Sequence, residues 1–476
     1  MTTPGSSTQS AFGTLLRRYR IAAGAYLSHR QMLLVLDHME HLPAAALLVA
    51  RLLARCTGLR IVATSRASLH ISGEHELPLP PLTIPRERST LAPARTADDL
   101  ARVAAVALFV QRVRAIQPAF ALNDDNAEDT AAICRRLDGL PLALELAASR
   151  MRLLSPRGLL ARLERGLPLL AGGMRDLPER HQTMRATIAW SYDLLHRGEQ
   201  ALFRRLAVFA GGCTLEAIEA VCATEGGDLD GDVLTWTEGL LDNSLLRRQE
   251  PEQGTEAGRE EPRLEMLRTV REYALERLEA TPEAARTRAL HAAYFLELAQ
   301  SAEPELAGPR QDLWLERLEQ EHDNMRAALR SARETNDAEL EGRLAGALAP
   351  FWWRHGHTTE GRGWLESALA QGDLLPATVR AKVLYEAGAA AYDQGEYDRA
   401  GLLAEQSRKL YDEAGDRAGT AQALNVLGMI AIDQTEYARA TLLYEQSLAL
   451  QRGLGRQRDV AVVLCNLGNV ALRQGD

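Results

Sequence analysis

A chain of 476 residues, 46% hydrophobic and 25% charged, has the composition of an ordinary soluble protein with several domains. A formal net charge of -9 supplies no overall basic field, which argues against strong nonspecific attraction to nucleic acid. No apolar run reaches about eighteen residues, and the opening MTTPGSSTQS has neither a basic nor an apolar leader segment, so a cytoplasmic protein with no membrane partner is expected.

The cysteines, Cys56, Cys134, Cys213, Cys222 and Cys465, show no paired metal-ligand spacing and are expected to be reduced and mostly buried. Neither an HExxH zinc motif nor a GxSxG nucleophile elbow occurs, and the scattered histidines are expected on surfaces or in loops. Lysine is confined to Lys382 and Lys409, so arginine supplies every other basic residue.

Within AFGTLLRRYRIAAG (residues 11–24), residues 11–20 form a basic amphipathic helical pattern. Met32 to Asp37, MLLVLD, is an apolar run ending on a carboxylate, as expected of a strand buried on both faces of a parallel sheet. Pro43 to Arg55 reads as an amphipathic helix, and Leu59 to Ser65 as a second strand. Ligands to such a strand, helix, strand unit bind at the C-terminal strand edge.

Beyond the proline-rich break LPLPPLTIP the pattern turns helical. Val103, Val106, Phe109, Val110 and Val113 form one stripe, Ile133 and Leu137 belong to another helix, and a third begins near Gly139, Leu140 and Pro141. From Asp176 to about Leu278 short helices and a hairpin spanning Leu246 to Leu264 fit a winged-helix domain.

The tail repeats itself. Leu384 to Leu410 aligns with Leu424 to Leu450 at a constant offset, without insertion or deletion. Gly388, Gly428 and Gly468 are expected where paired helices approach closely, with Tyr397 and Tyr437, and Ala400 and Ala440, in matching places on the second helix. This pattern resembles tetratricopeptide repeats, with an earlier degenerate unit including Trp352 to Leu369. The third clear unit stops before its second helix, so either the natural array continues or this chain is a fragment.

Five segments in order carry a wider resemblance: LLVLDHMEH (Leu33 to His41), IVATSRASL (Ile61 to Leu69), DGLPLALELAA (Asp138 to Ala148), TIAWSYDLL (Thr187 to Leu195) and MLRTVREYALERL (Met266 to Leu278). They resemble the NB-ARC-like STAND ATPases of bacterial transcription regulators of the AfsR/LuxR type, over roughly Ala25 to Leu278. The implied fold is mixed: a truncated α/β P-loop-NTPase-like core (25–90), a helical lid (91–175), a winged helix (176–280), a helical linker with degenerate repeats (281–370) and an all-α tetratricopeptide-repeat solenoid (371–476).

By this resemblance Asp37 matches the Walker B carboxylate that holds magnesium, Arg66 the sensor arginine facing a terminal phosphate, and Pro141 the proline packed near adenine. His38 stands where many hydrolysing members carry a second acid, and Leu267 and Arg268 stand where relatives place the histidine and aspartate of the MHD motif. The cofactors implied are ATP or ADP with magnesium. Yet no GxxxxGK[ST] occurs, and the segment from Met1 to Gln31 is too short for a phosphate-loop strand, its helix and a further strand. Nucleotide affinity is therefore expected to be severely reduced, and His38 and the missing loop weaken the case for ATP turnover.

Residues 1–24 also resemble the first helix of a helix-turn-helix domain, so the join near Ala25 reads as an internal deletion and DNA contact through that domain is not expected. The expected role is regulatory signal transduction, with a protein, peptide or small inducer received by the repeats and self-association as a response. The alternatives are an ATP-dependent regulator holding nucleotide through Asp37, Arg66 and Pro141, and a winged helix that binds DNA through the segment near Leu234 to Leu245. That segment carries Glu238 and Asp242, which disfavours a basic recognition surface.

Overall fold

The computed structural model describes residues 27, 30–37, 39, 43–65, 68–86, 96–163, 184–223, 233–249 and 262–474. The helical pattern at residues 11–20 lies outside them. Helices dominate, and two compact units are formed: residues 1–207 with 225–277, and residues 208–224 with 278–476.

In the first unit, strands β1 (Met32–Leu36) and β2 (Leu59–Ala63) pair in parallel from Met32 opposite Leu59 to Leu36 opposite Ala63. Helix α1 (Pro43–Arg55) makes the crossover and turns Ala46 and Val49 inward. Burial on both strand faces is not observed. Side chains alternate, and Leu33, Val35 and Val62 are 60%, 63% and 53% exposed. The physical reason is that, among the described residues, one helix packs on this pair of strands, while alternate side chains of a strand point to opposite faces.

Five helices follow: α2 (Ala97–Ala101), α3 (Ala104–Ile116), α4 (Asp124–Arg136), α5 (Pro141–Arg150) and α6 (Pro156–Leu163). Thr96 with Asp99, and Asn123 with Asn126, form reciprocal capping boxes that satisfy the first amides of α2 and α4. Val106, Phe109, Val110 and Val113 of α3 are buried, since their spacing puts them on one helical face, which packs on α5, while α4 packs on α6.

Helices α7 (Met184–Asp193) and α8 (Arg197–Leu206) come next, then α9 (Leu215–Cys222) of the second unit, then α10 (Val233–Asp242). The antiparallel strands β3 (Arg247–Arg248) and β4 (Leu264–Glu265) pair, with Arg247 bonded to Glu265 at 2.7 Å, and α11 (Arg268–Glu279) leads into the second unit. The face of α10 is committed to packing: Trp236 lies over Gly198, its ring stacks on His196 at 5.0 Å, and Thr237 and Leu240 are buried.

In the second unit α9 packs on α12 (Ala284–Glu305). Helices α13 (Gln311–Gln320), α14 (His322–Glu334), α15 (Ala338–His355) and α16 (Thr358–Ala370) follow. Fully buried Asn324 explains why residues 208–224 join this unit: its Oδ1 accepts from Ala210 N at 2.7 Å and its Nδ2 donates to Gly212 O at 2.9 Å. A buried amide needs such partners.

The array closes with α17 (Ala377–Asp393), α18 (Tyr397–Glu413), α19 (Arg417–Asp433), α20 (Tyr437–Gly453) and α21 (Gln457–Gln474). The bounds of α19 and α20 reproduce those of α17 and α18 at the offset that aligns the sequences. Cys56, Cys134, Cys213 and Cys222 are buried and Cys465 is exposed.

The expectation for histidines needs correction. His291 and His322 are 3% and 4% exposed and lie within helices, held by aromatic packing against Phe295 and Phe351 respectively. Neutral imidazole is compatible with such burial, as its apolar edges pack while each nitrogen seeks one partner.

Candidate functional site

Parallel pairing carries the ends of β1 and β2 to one edge. There Leu36 O accepts from Thr64 N at 2.9 Å and Thr64 O accepts from Met39 N at 3.0 Å. Asp37 is exposed at this edge, and its Oδ1 accepts from Thr64 Oγ1. The carboxylate is thus oriented by the neighbouring strand. Arg66, His38 and Glu40 lie outside the described residues.

The segment after β2 runs back to the turn before α5. Leu82 N donates to Gly139 O at 3.1 Å, and Thr83 O accepts from Ala105 N at the start of α3, also at 3.1 Å. Gly139 has φ +64°, and a Cβ there would lie 2.2 Å from Leu82 O, so both its conformation and its contact require glycine. The next turn places Pro141, exposed, at the first position of α5, where its missing amide costs nothing.

The residue before that glycine makes a connection that sequence reasoning missed. Asp138 adopts φ 54°, and its Oδ2 accepts from Thr269 N at 2.9 Å and Thr269 Oγ1 at 3.1 Å. It therefore caps the N-terminus of α11 from a distant segment. Burial pushes the Asp138 carboxyl up, while the bonds from Thr269 act in the opposite direction. Beside it Arg136 pairs with Glu272, whose carboxyl is also raised by burial against the pull of Arg136. The DGLPLAL and LRTVREYAL segments are thus one joint. Its only sequence signal is an acid before the glycine and a threonine at a helix start.

In the array the equivalent glycines meet different neighbours. A Cβ on Gly388 would stand 3.3 Å from Ala404 N and 3.4 Å from Ala400 O, a close backbone approach. On Gly428 it would stand 2.6 Å from Cε1 of Tyr444, which occupies the place of Ala404 one repeat on. Gly468 is exposed with nothing within 4 Å, so the close approach expected there is not observed among the described residues. Helix α21 carries that glycine and has no later described helix to pack against it.

Ala400 and Ala440 are fully buried, Tyr397 is 36% exposed at the start of α18, and Tyr437 packs partly buried at the start of α20. Two residues that pattern reading passed over are equally periodic. Ser407 Oγ donates to Ala381 O at 2.7 Å, and Ser447 Oγ to Ala421 O at 2.8 Å, each stapling a second helix to its first. Across repeats, Tyr392 donates to Asp433 at 2.6 Å and Asn466 to Asn425 at 2.9 Å.

No family model matches the chain. It is 40% identical over 368 residues to proteins of Mycobacterium bovis and Mycobacterium tuberculosis named "Putative HTH-type transcriptional regulator", an alignment covering 77% of this chain and 37% of theirs. An uncharacterized Mycobacterium bovis protein is 38% identical over 260 residues, covering 54% of this chain and 60% of its own. This chain therefore spans a little over a third of the length of the first relatives. Among solved structures, a STAND protein with a tetratricopeptide repeat sensor from Pyrococcus horikoshii aligns with 95% of this chain and 61% of its own, at 12% identity and a TM-score of 0.38. That superposition is too loose to define the fold.

Proposed function

We propose that this chain is a regulatory signal-transduction protein whose helical repeats bind a protein, peptide or small inducer, and whose nucleotide-handling core is degenerate. The observation that carries this reading is the repetition of helix bounds from α17 and α18 to α19 and α20, with the Ser407 and Ser447 staples recurring in register. Stacked helical pairs present a continuous surface that needs no nucleotide to form. Similarity to proteins named as transcriptional regulators supports a regulatory role.

In this reading Asp37 keeps the position of a magnesium-holding carboxylate, Arg66 that of a phosphate sensor and Pro141 that of an adenine neighbour. The phosphate-cradling amides and the lysine that would neutralise most of the ligand's charge are missing from the sequence. The segment from α7 to α11, read as a winged helix, acts as a structural joint through Asp138 and Thr269 rather than as a DNA reader. Trp236 and Leu240 commit α10 to internal packing.

One observation favours the second reading, an ATP-responsive core: Asp37 is still oriented at the strand edge by Thr64. Calorimetric titration of ATP and ADP with magnesium into the whole chain separates the two. Absence of heat at millimolar nucleotide is expected. Tight binding that Asp37→Ala abolishes would overturn the degenerate-core reading.

A further inference from the structure

Two helix corners of the second unit converge on a cluster of nitrogen and oxygen donors. Glu319 ends α13 and His322 begins α14, while His355 ends α15 and His357 precedes α16. One ligand atom from each of Glu319, His322 and His357 lies within 4.8 Å of the others. Glu319 Oε2 stands 2.7 Å from His357 Nε2, 3.2 Å from His355 Nδ1 and 4.0 Å from His322 Nδ1. The His322 and His357 ring centroids are 4.3 Å apart. Three imidazoles thus gather around one carboxylate oxygen.

The far side of His322 is also furnished. Its Nε2 accepts from Trp352 Nε1 at 3.4 Å and lies 3.6 Å from Glu360 Oε2. Glu360 is itself fixed by Arg326, through Nε at 2.7 Å and Nη2 at 2.5 Å, and by Trp364 Nε1 at 3.3 Å. Glu360, anchored in this way, stands behind the ring and would become the hydrogen-bond partner of Nε2 once His322 ligates through Nδ1 and carries its proton on Nε2.

From this geometry we propose that Glu319, His322 and His357 form a binding site for a zinc-class divalent transition cation, bordered by His355 and backed by Glu360. Two imidazoles with one carboxylate favour zinc or cobalt over magnesium or calcium, which prefer all-oxygen shells. Tetrahedral ligation at these bond lengths puts ligand atoms about 3.3 Å apart. Closing the set therefore asks for a contraction of roughly 1.5 Å at its widest, within reach of side-chain rotation by half-exposed Glu319 and His357. The cation would tie the α13–α14 corner to the α15–α16 corner, immediately before the clear repeats.

The test is equilibrium dialysis of the untagged whole chain, freed of metal by chelation, against zinc and then cobalt. The expected result is one tightly bound equivalent, intense visible absorption of four-coordinate cobalt, and slower amide exchange in α14 and α16. Glu319→Gln and His357→Gln, which alter half-exposed side chains and leave the buried ring in place, should each weaken binding at least tenfold. Cys465→Ser should leave binding unchanged. Failure to bind a stoichiometric equivalent would overturn the proposal, as would binding that survives both ligand substitutions.

Discussion

The same substitution at the same place in three successive repeats should have three different effects. Glycine to alanine in a helix interior gains about 1 kcal/mol from backbone entropy and helix propensity. At Gly468 no described atom lies within 4 Å of the new methyl, so in this chain Gly468→Ala should stabilise α21 locally by about 1 kcal/mol. At Gly428 the new methyl would lie 2.6 Å from the fully buried Tyr444 ring. Displacing that ring costs about 1–3 kcal/mol or more as overpacking, so Gly428→Ala should lose about 1–2 kcal/mol net. At Gly388 the neighbours are backbone atoms of α18 at 3.3 and 3.4 Å, which yield less readily than a side chain but need move less. Gain and cost nearly cancel there.

Because each repeat contacts mainly its neighbours, the effect is local and should be read by hydrogen exchange on the whole chain. Each 1.4 kcal/mol lost speeds exchange about tenfold. Amides of α19 and α20 should exchange about tenfold faster in Gly428→Ala, while those of α21 in Gly468→Ala slow several-fold. Equal effects at positions 428 and 468 would refute the reasoning, since neighbour geometry would then be irrelevant.

Asp138→Ala strands two donors of Thr269 and uncaps α11, and should destabilise the first unit by about 1–3 kcal/mol in chemical denaturation; Asp138→Asn keeps an acceptor and a residue tolerant of positive φ and should lose less. Thr435 adopts φ 62° where the preceding repeat has Gly395 at φ 77°, so Thr435→Gly should slow exchange in α19 and α20 through a gain of about 1 kcal/mol. Glu386 is 7% exposed, and burial raises its carboxyl from the ordinary 4.5 to about 8. The folded form therefore holds the proton more firmly, and this contribution to stability is full below pH 4.5 and lost as pH rises through about 8. Glu386→Gln should match the parent at pH 5 and exceed it at pH 9, by up to roughly 4 kcal/mol, in thermal melts of the repeat transition.

Sequence by itself determined the parts whose causes are local or periodic. A constant offset between glycine, tyrosine and alanine positions already implied paired helices, because small residues at fixed helical spacing permit close packing. Apolar runs bounded by polar residues and turns located β1, α1 and β2, and the proline of DGLPLAL marked a helix start through its fixed φ and missing amide. The missing phosphate-loop lysine is likewise a statement of sequence alone.

Tertiary structure decided everything that depends on which side chains meet across the chain. Whether a repeat glycine faces backbone, an aromatic ring or open space depends on the residue at the Ala404 position and on whether another helix packs against it. Asp138 became a helix cap for α11 because the fold returns Thr269 to it across 131 positions. Glu319, His322 and His357 form a cluster only because two helix corners meet. Such contacts leave no period in a single sequence, since each partner supplies one residue and folding supplies the distance between them.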